Sequence, residues 1–342
     1  MEQSIVQLPF TKTLKTRIEE PINLMQFVVG PRQVGKTTGV ETVVQKYSPE
    51  RVHSVLVEGH PNHNREWLQK QWWYAQSLHP KAIFVVDEIQ KIEGWAETIK
   101  YLWDSSKKTA RPICIFLGSS SLNLFQGVSE SLAGRYELIF VSHWDFALTK
   151  RLVKDIDWKT YLKRGGYPGS YVFIKDPKRW RNYLVQSIVE NVFIRDIFSM
   201  AHVKKPALFR QLVELLCSYP AQEVSYTKLL GQLQEKGNVE IIKYYLSLLQ
   251  SAFLFSRLEK YSPKKVLQKA SSPKVIPMCP ALIEALAPEV DEGRRFEAYV
   301  GSQLLRLGGK THYWREGQFE VDFVYRSESG QVFAVEVKSG KK

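Results

Sequence analysis

The stretch MQFVVGPRQVGKTTGVETVVQKY, residues 25–47, restricts the fold more than any other part of this chain. It reads as an apolar strand, a glycine-rich loop and an apolar-periodic helix, with G-x-x-x-x-G-K-T running from Gly30 to Thr37. A loop of this kind between a strand and a helix belongs to an α/β sheet that presents phosphate-binding backbone at its strand ends. Gly30 and Gly35 allow the backbone of Pro31, Arg32, Gln33 and Val34 to wrap with its N–H groups pointing inward. The N-terminus of the following helix adds partial positive charge. Lys36 neutralises the β and γ phosphates of a nucleotide, Thr37 is placed to ligate Mg²⁺, and Thr38 falls near the α phosphate.

The partner motif is KAIFVVDEIQKI. Ile83 to Val86 form a continuous apolar run, expected of a strand buried on both faces of a parallel sheet. Asp87 at its end can hold Mg²⁺, and Glu88 is the expected general base or water-orienting group for attack on the γ phosphate. Adjacent Asp-Glu at a strand end points to ATP hydrolysis rather than to a kinase or a small GTPase. RPICIFLGSSSLNLF gives another buried strand, ending in Gly118 and serines, of which Ser119 is expected at the γ phosphate or the attacking water and Ser120 is the reserve. In SESLAGRYELIFV an arginine follows a short helix, so Arg135 is a candidate for reaching into a neighbouring subunit's nucleotide.

At 342 residues the chain is too long for one core. No apolar run approaches the roughly 20 residues that span a bilayer, and MEQSIVQLPF has no secretory character. Cys114, Cys217 and Cys279 are odd in number, far apart and set in apolar segments, as core thiols of a reducing compartment would be. The expected location is the prokaryotic cytoplasm, with no membrane partner. The net charge of +13 is uneven: Arg151 to Pro280 holds 22 Lys/Arg against 10 Asp/Glu. A basic middle between near-neutral ends suggests a polyanion-binding surface.

Taken in order, GPRQVGKTT, VVDEIQKIEGWAETIKYLWD, GSSSLNLFQGVSESLAGRYE and RGGYPGSYV resemble the prokaryotic AAA-type ATPases that carry a C-terminal domain of unknown function. The resemblance covers almost the whole chain. It implies a P-loop NTPase parallel sheet of AAA+ type with a helical lid, a winged-helix domain and a small α/β endonuclease-like C-terminal domain. The expected boundaries are 1–150, 151–203, 204–283 and 284–342.

Within the basic middle, residues 206–255 read as three helices, with Ser225 and Asn238 as caps. Arg257 to Lys274 then carries six basic residues and one acid in a hairpin-like stretch. Helix, turn, helix and basic hairpin outline a winged helix, with Lys243, Lys264, Lys265 and Lys269 as candidate DNA contacts. At the C-terminal end, GRRFEAYVGSQLLRLGG is an amphipathic helix bearing Glu297, and Asp322 with Glu336-x-Lys338 lies on the two short strands that close the chain. In an endonuclease-like fold Glu297, Asp322 and Glu336 converge on one Mg²⁺ and Lys338 orients water or neutralises phosphate. Similar proteins continue for some tens of residues past E-x-K, whereas this sequence stops four residues after Lys338. The expectation is therefore a nuclease scaffold that binds metal weakly and cleaves little.

The functional expectation is a homo-oligomer, with a hexameric ring among the candidates, that hydrolyses ATP with Mg²⁺ and remodels or moves along DNA, branched or single-stranded. Its rivals are a nucleotide-driven assembly or signalling switch and an ATP-gated, Mg²⁺-dependent nuclease.

Overall fold

In a computed structural model the protein is described for residues 7–57, 62–118, 131–199, 201–235, 237–262 and 271–340. The chain divides into two compact units, Met1–Ser142 and His143–Lys342.

The first unit is built on five parallel strands: β1 (Met25–Val29), β2 (Val52–Leu56), β3 (Ile83–Asp87), β4 (Ile113–Gly118) and β5 (Tyr136–Phe140). Their order is β2-β3-β4-β1-β5. The apolar runs of β1, β3 and β4 are buried along almost their whole length, the burial that a parallel sheet covered on both faces imposes. Phe27, Phe84 and Phe116 pack one against another across these strands and meet Trp72 and Trp95 from the helical layer. Helix α1 (Pro9–Glu19) precedes the sheet, α2 (Lys36–Val44) follows the glycine-rich loop, and α3 (Arg65–Leu78) and α4 (Trp95–Ser105) flank β3. Asn64 caps α3 by accepting from the Trp67 N–H. Trp72 is fully buried while its neighbour Trp73 is half exposed, so one indole is core and the other surface.

The second unit begins with α5 (Phe146–Leu152) and α6 (Trp158–Arg164), capped by Asp145 and Asp157. Helix α7 (Pro177–Asn182) continues through two wide-turn stretches, Tyr183–Val189 and Val192–Phe198. Then come α8 (Pro206–Ser218), β6 (Gln222–Glu223), α9 (Tyr226–Gln232), α10 (Val239–Ser251), β7 (Phe255–Leu258) and β8 (Lys274–Pro277). The Ser225 and Asn238 side chains cap α9 and α10, as their positions before each apolar pattern suggested. These three strands form an antiparallel sheet in the order β6-β8-β7. Helices α11 (Pro280–Leu286) and α12 (Glu292–Leu304) follow, and then β9 (Lys310–Glu316), β10 (Phe319–Arg326) and β11 (Val332–Val335), paired as β11-β10-β9.

The two compact units meet at residues 142/143, and His143 and Trp144 bond within the second of them. Trp144 N–H donates to the Gly166 carbonyl at 3.0 Å, and Arg306 donates to the His143 carbonyl at 2.9 Å. A Cβ at Gly166 would stand 2.0 Å from the Trp144 carbonyl oxygen, so the RGGYPG segment needs its glycine for this close approach. The three segments expected as lid, winged helix and C-terminal domain share one compact unit. Tyr167 and Trp180 pack with Cys279 and Ala281, while Ile276 packs with Ala298 and Phe323. Each segment is small, and sharing apolar surface is how such segments bury enough of it. All three cysteines are buried and free.

Candidate functional site

The sheet order puts the ends of β1 and β3 on either side of β4, on the edge where α/β folds bind ligands. At the end of β1, Gly30 has φ 157° and a Cβ there would meet the Val141 carbonyl oxygen at 1.9 Å. Only glycine can make this entry into the loop. Gln33 and Gly35 also take positive φ, 57° and 94°, which rotates successive peptide groups toward one concave side. Helix α2 starts at Lys36 with no side-chain cap, leaving its first turn to an anion. Lys36 is buried, and its ammonium donates to the Gly30 carbonyl at 2.8 Å and the Pro31 carbonyl at 2.6 Å. The Thr37 hydroxyl donates to Asp87 Oδ2 at 2.7 Å, so the two groups expected to share a metal ion already meet. Pro31, Arg32, Val34 and Thr38 occupy the loop and first helical turn where the motif puts them.

Glu88 follows β3 with φ 58°, a left-handed conformation that a side chain adopts only at a cost. Its carboxylate accepts from Gln90 Nε2 at 2.5 Å and faces Arg32 of the glycine-rich loop at 3.9 Å. Gln90 was not singled out from the sequence; its i+2 spacing from Glu88 is the only local signal. Ser119 and Ser120 lie outside the described residues.

Arg135 stands at the opposite end of the sheet. Its carbonyl accepts from Met25 N–H at the start of β1, a full strand length from the loop after β1. It cannot reach its own subunit's phosphate site. Its guanidinium makes a two-point contact with Asp104 of α4, at 2.9 and 3.0 Å, and donates to the Ala133 carbonyl. The hydrogen bond from Arg135 holds the Asp104 carboxyl below its usual range and raises the guanidinium in turn.

In the second unit, Glu297 and Asp322 come together, but around a lysine. Lys274 of β8 is 6% exposed; its ammonium lies 2.6 Å from Glu297 and 3.9 Å from Asp322 Oδ1, and donates to the Asp322 carbonyl at 3.1 Å. Arg294 reaches the other Glu297 oxygen at 3.0 Å, and Val337 N–H donates to Asp322 Oδ2 at 2.7 Å. Burial pushes the Glu297 carboxyl up from its ordinary value, an effect that the Lys274 charge offsets only in part. Glu336 is taken by Lys338 at 2.5 Å. That hydrogen bond raises the Lys338 ammonium, and the Val337 N–H on Asp322 brings the E-x-K end beside that carboxylate. Among the described residues, however, no three His, Cys, Asp or Glu side chains gather to hold a metal ion. Lys274 contacts both Glu297 and Asp322, while Glu336 pairs with Lys338. The sequence counted Lys274 with an exposed basic hairpin. Its position at the head of a four-residue strand that is buried throughout was the signal to the contrary.

Among the described residues, Lys243 lines a groove of about 540 Å³ with Tyr226, Arg257, Lys310, His312 and the acid Glu259. Lys243 also pairs with Glu240 at 2.9 Å on the exposed side of α10. Lys264, Lys265 and Lys269 lie outside the described residues.

A family model described as an AAA domain matches residues 23–148, the segment that carries the loop, Asp87 and Glu88. The first unit has the fold of an AAA-type P-loop ATPase domain. Two domains of unknown function match residues 155–291 and 292–342. The Walker-type ATPase of Pyrococcus abyssi shares the fold, with a TM-score of 0.54 at 15% identity over 81% of this chain and 94% of that one. An uncharacterized protein of Mycobacterium tuberculosis is 27% identical over 91% of this chain and 69% of its own length. Uncharacterized proteins of Haemophilus influenzae and Methanocaldococcus jannaschii are 27% and 24% identical, over 76% and 92% of this chain and 66% and 74% of their own lengths. The chain spans about two thirds to three quarters of these relatives. Among the described residues no helix is long and apolar enough to cross a membrane.

Proposed function

We propose that this AAA-type ATPase couples ATP hydrolysis to the binding and remodelling, or translocation, of DNA. The observation that carries the DNA part is the groove that gathers Lys243, Arg257, Lys310 and His312 from α10, β7 and β9. The order α8, β6, α9, α10, β7, β8, with β6 paired to β8, suits a winged helix and supports the same reading. Cations from separate elements on one concave surface track a phosphate backbone and release its counterions. Lys264, Lys265 and Lys269 would extend that set.

In the ATPase site, Lys36 exchanges its carbonyl partners for phosphate oxygens, and Glu88 orients or deprotonates the attacking water. Thr37 and Asp87, whose side chains meet, would hold Mg²⁺, whose charge would offset that on the β and γ phosphates. Arg135, remote from its own loop, is suited to act on the nucleotide of an adjacent subunit, which makes a homo-oligomer part of the proposal.

The test is the ATPase rate with and without duplex, single-stranded and four-way DNA. The reading expects stimulation by at least one of them, lost when Lys243, Arg257 and Lys310 are all changed to Glu. The same triple variant should show a shallower dependence of DNA affinity on salt. A turnover indifferent to every DNA, with assembly that follows the bound nucleotide, would instead support the switch.

A further inference from the structure

The acidic cluster of the second unit raises a question separate from ATP and DNA: what neutralises it? We infer that the Lys274 ammonium is its resident cation, and that the cluster excludes divalent metal and serves as a pin between two sheets.

Every carboxylate oxygen of Glu297 and Asp322 faces a cation or a backbone N–H. Glu297 faces Lys274 with one oxygen and Arg294 with the other. Asp322 faces Lys274 with Oδ1 and accepts the Val337 N–H on Oδ2. Two acids are matched by two bases, so the set is neutral without any metal. The space around them is a cavity of about 140 Å³ whose further charged lining, Glu223, Arg315 and Glu320, again mixes the two signs. A Mg²⁺ or Mn²⁺ close enough to bond both carboxylates would sit against the ammonium, and like charges at that range repel strongly in a partly enclosed site. Metal could enter only if Lys274 left.

The lysine is not free to swing out. It starts β8, and its backbone is paired on both sides: Lys274 is registered with Glu223 of β6 and with Leu258 of β7. Its ammonium also lies 4.7 Å from the centre of the Phe323 ring. The charge therefore comes from the β6-β8-β7 sheet, while its acids come from α12 and β10. Lys274 ties these together as a metal ion would, but from within the chain.

The test is Mn²⁺ titration of the nucleotide-free full chain, followed by calorimetry and by the Mn²⁺ electron paramagnetic resonance signal. Comparison with Asp322→Asn removes any contribution from the ATPase unit. Wild type should show no Mn²⁺ site that depends on Asp322, and neither should Lys274→Arg, which keeps the positive charge. Lys274→Met should acquire one such site, with Mn²⁺ affinity higher by roughly 10-fold or more, and should lose it again in Lys274→Met with Asp322→Asn. An Asp322-dependent Mn²⁺ site in wild type would overturn the inference. So would a folded Lys274→Met, with wild-type circular dichroism, that gains no Mn²⁺. Should Lys274→Met fail to fold, wild type against Asp322→Asn still decides the matter. None of these readouts involves ATP turnover or DNA, so the inference stands or falls apart from the proposed function.

Discussion

Among the described residues two lysines are buried, and they are held differently. Lys36 rests on two neutral carbonyls of its own loop, and the nearby Asp87 is occupied by Thr37. Lys274 rests on two carboxylates. Carbonyls offer an ammonium hydrogen bonds without a full opposite charge, so an incoming phosphate is a better partner than they are. An ammonium on carboxylates is already neutralised, and removing it strands two acids in a half-dry cavity. The difference separates an exchangeable site from a locked one. Arg135 is a third case: it too is bound to a carboxylate, but at an exposed surface, where such pairs contribute about 0–1 kcal/mol and separate readily.

The comparison can be broken at its strongest point by Lys36→Ala. If that lysine is the exchangeable cation, the variant keeps its fold and loses nucleotide binding, by ~100-fold or more given the charge-assisted contacts removed. Fluorescent-nucleotide titration would read this, and unchanged affinity would show that the ammonium never leaves its carbonyls. Arg135→Ala sharpens the third case. Acting in trans, it should bind ATP normally and hydrolyse it some 10³- to 10⁵-fold more slowly. Mixing with Lys36→Ala should restore part of the rate, whereas a demonstrated monomer with full activity would remove the role altogether.

Glu88→Gln is expected to keep nucleotide affinity and to lower turnover by about 10²- to 10⁴-fold. A smaller drop would mean that the bonds from Gln90 and Arg32 describe a structural acid. The smallest expected effect concerns the locked lysine. The folded Glu297 carboxyl is already raised by burial, and Lys274→Met removes the charge that holds the rise in check. A carboxyl raised in the folded state contributes its stability below the unfolded value and loses it as pH climbs through the folded one. Lys274→Met should therefore lose more stability relative to wild type at about pH 8 than at about pH 5, by about 1 kcal/mol or more. Urea unfolding at both pH values would measure it, and an equal loss at both would show that the ammonium does not govern Glu297.

What the sequence disclosed follows the same division. The glycine-rich loop, Asp87 and Glu88 were legible because each is a contiguous motif whose strand or helix context can be read beside it. Glu297, Asp322 and Glu336 were legible as residues but not as a set. What decides their chemistry is Lys274, which comes from a strand 48 residues before Asp322. Charge counting placed that lysine on a solvated hairpin, and only the pairing of β8 on both edges buries it. The boundary at 142/143 was hidden for a similar reason, since the bond from Trp144 to Gly166 has no local signature. Nor was α1 anticipated, although Phe10, Leu14 and Ile18 recur at helical spacing on its buried face.

The strand order also sets a timetable for synthesis. Of the described strands in this sheet β1 is made first, yet in the finished sheet it lies between β4 and β5. Its Gln26 side chain bonds Glu137, 111 residues later. At a synthesis rate of about 5–20 residues per second, roughly 5 to 20 seconds pass before β5 exists to pair with β1. Val141 emerges later still, and its N–H bonds the Val29 carbonyl at the mouth of the loop. A nascent chain thus displays the whole GPRQVGKT motif long before it has a site for ATP. Nucleotide can stabilise this unit only once its last strand has been made, and until then the apolar edges of β1 depend on whatever shields a growing chain.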